Sequence, residues 1–335
     1  MDSRISKKHP ALSTNDMKRD PGNRRLAPCL CAAVLIFAAA AALLAGCSKV
    51  SPASSNAGDA PAASAAEKRD AALTEVILTG MQKASVPGVI VGIWREGEPP
   101  YVRAFGVQNT ATGEPMTTDL YMRIGSNSKA FVITCILILA DRGKLDLDDP
   151  IDHYVKGVPS GDQITLRQLA QMRSGLFNYG DGIFNIILQE PFRQWTPQEL
   201  IEVSFSHPLL FPPGSDFDYS NTNTVLLGLV VEKVSGQTLG SFIEENILKP
   251  EGLTRTVFPA GAEIPSPHSR GYFKLPDGKI VDATDWNPSW GWAAGNMIST
   301  LDDLAPGRVI LGLGAWWDPL AAKVGIDRAR PLGVM

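Results

Sequence analysis

Residues 130–140 constrain this chain more than any other stretch. The run Ala130-Phe131-Val132-Ile133-Thr134-Cys135-Ile136-Leu137-Ile138-Leu139-Ala140 is apolar on nearly every face of a helix. Such a helix is stable only when other elements surround it, so it must pass through the middle of a domain. Asp141-Arg142-Gly143 supplies its stop, with glycine where the chain leaves the helix.

The rest of the chain has the elements to cover that helix. A helical pattern runs over residues 67–83, and residues 88–94 and 101–105 read as a strand pair joined by the charged, proline-containing turn 95–100. Further helices are expected at 165–172, 196–204, 223–234 and 239–248, with strand-like residues at 270–274 and 279–283. Strands first, a helical middle and strands again describe an α/β (α+β) fold, a sheet flanked by helices with an all-helical domain inserted. With 335 residues, 44% of them hydrophobic and 20% charged, the chain has room for a sizeable core in one large domain or two small ones. No repeat of about 20–50 residues is visible, which removes solenoids and propellers. A net charge of −4 gives no electrostatic reason to bind nucleic acid.

The N-terminus reads as an address. Residues 1–25 are polar and basic, with Lys18, Arg19, Arg24 and Arg25 ahead of the uncharged apolar run 27–46. That run ends in Leu44-Ala45-Gly46-Cys47, which looks like a bacterial lipobox. Small residues let the scissile bond enter a peptidase, and the Cys47 thiol accepts lipid as a thioether. The alternative is an uncleaved anchor, since about 20 apolar residues span a bilayer. Either way the body is exported, and the lipobox reading places it at the bacterial cell membrane, facing the periplasm or the exterior. Residues 47–66 are rich in Ala, Ser, Pro and Gly and read as a flexible tether. The expected organisation is a signal peptide with lipobox over 1–46, a tether over 47–66, a folded domain over 67–305 and an atypical tail over 306–335.

Of the four cysteines, Cys29, Cys31 and Cys47 lie in or beside the apolar run and only Cys135 lies in the body. They cannot build a disulfide framework and have no zinc-site spacing. His9, His153, His207 and His268 are scattered, so neither a metal nor a cofactor is expected.

Ser126-Asn127-Ser128-Lys129 stands at the head of the apolar helix. Residues three apart on a helix share a face, so the Lys129 amine can reach the Ser126 hydroxyl. Burial lowers a lysine pKa and makes the amine a usable base, and a helix N-terminus favours developing negative charge. The plainer reading is an N-cap serine with a surface lysine in the first turn. Tyr219-Ser220-Asn221 follows the loop signal Phe211-Pro212-Pro213-Gly214 and precedes a helix. A tyrosine there can shuttle a proton and an asparagine can bind an amide; otherwise they are a loop tyrosine and a helix cap.

Taken in order, five blocks resemble the serine β-lactamase-like superfamily, which includes class C β-lactamases, D-alanyl-D-alanine carboxypeptidases and related esterases. They are Arg123-Ile124-Gly125-Ser126-Asn127-Ser128-Lys129, Leu166-Arg167-Gln168-Leu169, Ser174-Gly175-Leu176, the Pro-Pro-Gly to Tyr219-Ser220-Asn221 block, and the stretch from Ala293-Ala294-Gly295-Asn296 to Asp302-Asp303-Leu304. The resemblance covers residues 67–305. It implies an acyl-enzyme mechanism: Ser126 attacks a carbonyl, Lys129 takes its proton, Tyr219 relays protons to the leaving group, and Asn221 holds a substrate amide. The Ser126 N–H would supply half of an oxyanion hole. The substrate would be a small molecule or peptide: a cell-wall peptide, a β-lactam or an ester.

Two departures stand out. Met172-Arg173 precede Ser174-Gly175-Leu176 where the family often has His-Thr. The family's third motif, Lys-Thr-Gly or His-x-Gly on a core strand, has no counterpart; Lys323-Val324-Gly325 is the nearest imitation. Thr300-x-x-Asp303 looks like a helix start, and Pro306-Gly307 stops it at once. Beyond it the texture changes to Gly, Pro and Trp without period, as a shifted frame or altered terminus would, and the later strands of the sheet are expected to be missing. Three readings follow: a D-alanyl-D-alanine carboxypeptidase-like serine hydrolase, a β-lactamase or esterase with the same mechanism, and a non-catalytic pseudoenzyme or penicillin-binding protein lacking the third motif.

Overall fold

The structure is a computed structural model in which residues 64–305, apart from Glu96, are described. The expected leader over 1–46, Cys47, the tether as far as residue 63 and the tail 306–335 with Lys323-Val324-Gly325 lie outside the described residues. Among the described residues no helix is long and apolar enough to cross a membrane.

The tether expected to reach residue 66 gives way earlier to helix α1 (Ala65–Ala84). Ser64 and Glu67 form a reciprocal cap: the Glu67 N–H donates to Ser64 Oγ at 3.2 Å, and the Ser64 N–H donates to the Glu67 carboxylate at 2.6 Å. Two otherwise orphaned donors are satisfied there, which fixes the start of the helix. Strands β1 (Gly88–Ile93) and β2 (Tyr101–Asn109) pair antiparallel from Gly88 opposite Gly106 to Ile93 opposite Tyr101. The two-residue β3 (Glu114–Pro115) completes a three-stranded sheet. Gly106 has φ +75°, and a Cβ there would stand 2.1 Å from the Pro87 carbonyl oxygen, so only glycine fits. Helix α1 lies against this sheet through Thr74, whose hydroxyl is 3.1 Å from that of the buried Tyr101.

After the short β4 (Met122–Arg123) the chain turns helical: α2 (Ser128–Asp141), α3 (Leu166–Ala170), α4 (Tyr179–Gln189), α5 (Pro197–Phe205), α6 (Asn221–Ser235) and α7 (Leu239–Ile243). Strands return as the pair β5 (Tyr272–Lys274) and β6 (Ile280–Asp282), then helix α8 (Trp292–Gly295) and β7 (Ile298–Ser299). The strand before the helical stretch pairs with the last described strand, β7: Met122 faces Ser299 and Arg123 faces Ile298. A helical segment closed at its base by one strand pair is what the sequence pattern anticipates for an insertion, and the fold is the mixed α/β type expected.

Helix α2 runs through the centre of the helical part. Phe131, Val132, Cys135, Ile136, Leu137, Ile138 and Leu139 are all buried, and α6, α7 and α8 pack around them. Gly143, at φ +64°, ends the helix, with the Lys144 N–H closing on the Leu139 carbonyl at 2.9 Å. One further expectation needs correction, and one helix was not expected. The single helix expected over 239–248 is α7 followed by a wider turn at Glu244–Leu248, with Lys249 N–H bonding back to Glu244 O. Helix α4 has no counterpart in the sequence reading. Gly180 and Gly182 fall in its first turns and suggest a loop, but Asn178 caps it and Tyr179, Ile183 and Ile187 bury one face.

Because Ile136 is fully buried, Ile136→Ala should destabilise the fold by about 2–5 kcal/mol. The shift of the urea unfolding midpoint at unchanged slope measures it.

Candidate active site

β4 aims the chain at the head of α2. The Ile124 N–H donates to the Met297 carbonyl at 3.0 Å, and Gly125 then adopts φ +51°, a left-handed conformation open to glycine at little cost. A short 3-10 turn, Gly125–Asn127, carries Ser126 into α2. The Ser128 hydroxyl locks this corner: it donates to Gly125 O at 2.7 Å and accepts the Met297 N–H at 3.1 Å. Ser126 therefore sits where the N-terminal N–H groups of a helix lack intrahelical partners.

One turn on, Lys129 is buried at the edge of the core. Its Nζ donates to Ser126 Oγ at 3.0 Å and to the Ala294 carbonyl, in α8, at 2.8 Å. Removal from water lowers its pKa from 10.5 to about 7, because desolvation penalises the ammonium. At neutral pH a large share of Lys129 is a free amine in contact with a serine hydroxyl.

Tyr219 completes the arrangement. Its hydroxyl lies 2.7 Å from Ser126 Oγ, and its ring centroid lies 4.8 Å from Lys129 Nζ. Although the residue is 43% exposed, burial raises its pKa above the ordinary tyrosine value while the bond to Ser126 pulls it down. The phenol thus stays protonated at neutral pH and can give a proton as well as take one.

The loop bearing Tyr219 is braced by a turn 43 residues upstream. The Phe177 carbonyl accepts three hydroxyls, from Thr222 at 2.7 Å, Ser204 at 2.6 Å and Ser220 at 3.4 Å. Thr222 Oγ1 in turn accepts the Tyr179 N–H at 3.2 Å, and Ser174 Oγ donates to Asn223 Oδ1 at 2.6 Å. Asn178 Oδ1 takes the Asn221 N–H at 3.0 Å. Met172, at φ +60°, accepts from Asn223 Nδ2 through its sulfur at 3.3 Å, and Arg173 bonds the Gly214 carbonyl. The two residues that depart from the family pattern therefore belong to the same brace.

Of the residues singled out in the sequence, Ser126, Lys129 and Tyr219 meet in direct contact. Asn221 stands in the first turn of α6; Ser220, not Asn221, occupies the cap position. Among the described residues its backbone hydrogen bond reaches Asn178, and its carboxamide Nδ2 lies 3.2 Å from the Cβ position of Gly180. Cys47 lies outside the described residues. The Ala294 carbonyl and Asn178 went unread in the sequence. A backbone acceptor carries no residue signature, and Asn178 reads as an ordinary loop residue until its distant partner is known. A cavity of about 1060 Å³ lined by Trp195, Phe258 and Trp292 does not include Ser126, Lys129 or Tyr219, so the chemistry is not located by cavity size. Cys135 is no rival nucleophile, since complete burial pushes its thiol pKa far up.

Over residues 73–311 the sequence matches the Beta-lactamase family, and the chain belongs to that family of serine hydrolases. It is 25% identical to protein flp of Staphylococcus aureus over 240 residues, which cover 69% of this chain and 47% of flp; the chain spans about half the length of the curated relatives it matches. Among solved structures, a D-stereospecific amidohydrolase from Streptomyces is 35% identical with a TM-score of 0.60, covering 65% of this chain and 66% of that one. A D-amino acid amidase from Ochrobactrum anthropi is 28% identical with a TM-score of 0.63, covering 78% and 72%.

Titration of side-chain nitrogen-labelled lysines by NMR should reveal one amine with a midpoint at about pH 7. Lys129→Met should lack that resonance. If every lysine titrates above pH 9, the burial argument fails.

Proposed function

We propose that the chain is a serine hydrolase that works through an acyl-enzyme and cleaves an amide next to a D-amino acid residue. The reaction would be D-alanyl-D-alanine carboxypeptidase-like, on cell-wall peptides. The observation that carries this reading is the contact of three groups, with Ser126 Oγ at 3.0 Å from Lys129 Nζ and 2.7 Å from the Tyr219 hydroxyl. The D-stereospecific names of the two solved relatives support the choice of linkage.

Each step then has an owner. Ser126 Oγ attacks the carbonyl carbon as its proton passes to the neutral Lys129 amine. The carbon–nitrogen bond breaks as Tyr219 donates its proton to the leaving amine, and the Lys129 ammonium reprotonates the tyrosine. Water then attacks the Ser126 ester, giving up its proton along the same groups and returning the serine hydroxyl. Asn221 holds the substrate's amide. A β-lactamase or esterase reaction would use the same steps on another carbonyl. We also propose export with a lipid on Cys47, resting on Leu44-Ala45-Gly46-Cys47; labelled palmitate should enter the parent and not Cys47→Ala.

Intact mass after incubation with a penicillin tests the nucleophile. A covalent adduct should form on the parent and be absent from Ser126→Ala, while Lys129→Met and Tyr219→Phe should slow acylation by about 10²–10⁴-fold. No adduct on a parent that melts cooperatively would make the chain a pseudoenzyme. The pH dependence follows from the amine. Below about 7 Lys129 is an ammonium and cannot accept the serine proton, so acylation should fall about tenfold per pH unit on the acid side and level off above. A rate flat from pH 5 to 9 would remove Lys129 as the base.

A further inference from the structure

The helix that follows Tyr219 does not cap itself. Ser220 occupies the cap position of α6 in an extended conformation (φ −138°, ψ 122°) but makes no side-chain cap bond; its hydroxyl turns to the Phe177 carbonyl instead. The N–H of Asn221, one of the donors a helix start leaves orphaned, is taken by Asn178 Oδ1 at 3.0 Å. The same oxygen accepts the Gly180 N–H at 3.4 Å, at the start of α4. One carboxamide oxygen thus serves two helix starts, and the same carboxamide favours the charged form of the neighbouring Asp181. Tyr219 stands immediately before the borrowed cap. Its side chain is 43% exposed and touches the site through the Ser126 bond and the Lys129 contact, so the backbone at Ser220-Asn221 sets where its hydroxyl can reach.

We propose that Asn178 is a positioning residue for Tyr219: by capping α6 from a separate loop, it holds the tyrosine hydroxyl against Ser126. The assignment rests on the acyl-enzyme reading only where activity is the readout. Displacing a reacting group by about 1 Å costs on the order of 10²-fold in rate. Asn178 touches neither the nucleophile nor the base among its hydrogen bonds, so its removal should act on the chemical step through Tyr219 and on substrate affinity through Asn221, whose N–H it also holds.

Three measurements test this. Asn178→Ala should lower the acylation rate constant by about 10–100-fold, and that rate constant should fall no further in a Tyr219→Phe background, because the two act on it through one hydroxyl. Equal losses in both backgrounds would overturn the proposal and leave Asn178 a stability residue. Asn178→Asp alone sets a carboxylate against Asp181 and should not rescue. Asn178→Asp with Asp181→Asn restores an acceptor for the Asn221 N–H without setting two carboxylates side by side, and should recover activity to within about threefold; a folded swap that stays as slow as Asn178→Ala overturns it. A crystal structure of Asn178→Ala needs no activity. The 2.7 Å contact between Ser126 and Tyr219 should be lost there, and its retention would overturn the proposal even if the parent forms no acyl-enzyme.

Discussion

The site depends on keeping one amine out of water. Lys129 is useful as a base because it is buried, and it is buried because α2 continues from it as a helix apolar on all sides. Each element that packs on α2 therefore helps set the proton affinity of Lys129, as does the α8 carbonyl that fixes its direction. The arrangement has a thermodynamic cost. Between pH 7 and the ordinary lysine value of 10.5 the unfolded chain binds a proton at Lys129 that the folded chain does not. This group alone thus makes folding more favourable as pH rises through that window, and its burial penalty is felt in full below it. An apolar residue of similar shape would carry no such penalty.

If the core supplies the base, the loops supply its geometry. Ser126 and Lys129 share one helix, so their relation follows from helical spacing. Tyr219 comes from a segment 93 residues away, and helical spacing cannot hold it in place. Its placement rests on hydroxyls, a carbonyl and a carboxamide joining the 174–180 turn to the start of α6. Most of these bonds are buried or half-buried, where an unmade polar partner costs about 1–3 kcal/mol. That penalty disfavours intermediate loop positions: the brace is either made or broken. A brace of this kind holds a phenol 2.7 Å from a nucleophile more firmly than side-chain packing around a half-exposed ring could.

What the sequence reveals about this molecule follows the range of the forces. Helix α2 is legible because burial on every face leaves a composition that nothing else requires, and the Ser126-to-Lys129 spacing is legible because it lies within one turn. The β1–β2 pair announces itself by two short strand-like runs joined by a charged, proline-containing turn. Helix α4 is hidden, because Gly180 and Gly182 weaken its propensity and its stability comes from the buried face of Tyr179, Ile183 and Ile187. The brace is hidden for another reason: serine, threonine and asparagine are ordinary loop residues until a partner 43 to 49 positions away is known. Tyr219 is found through its motif, whereas what holds it there leaves no local trace.

The same reasoning explains how residues 172–173 can differ from the pattern expected of them without disturbing the reacting atoms. Met172 and Arg173 contribute a left-handed backbone, a sulfur acceptor and a bond to the Gly214 carbonyl. They bear on the brace through Asn223 and the 212–215 loop rather than on Ser126 directly. Other residues could meet those demands, because a backbone conformation and one acceptor define them loosely. The demands on Lys129 are stricter. It must be long enough to reach two oxygens, basic enough to take a proton, and buried enough to have lost its own. Substitution is therefore freest in the loops that position the site and most restricted at the boundary between α2 and the core, where the chemistry and the stability of the fold act on the same side chain.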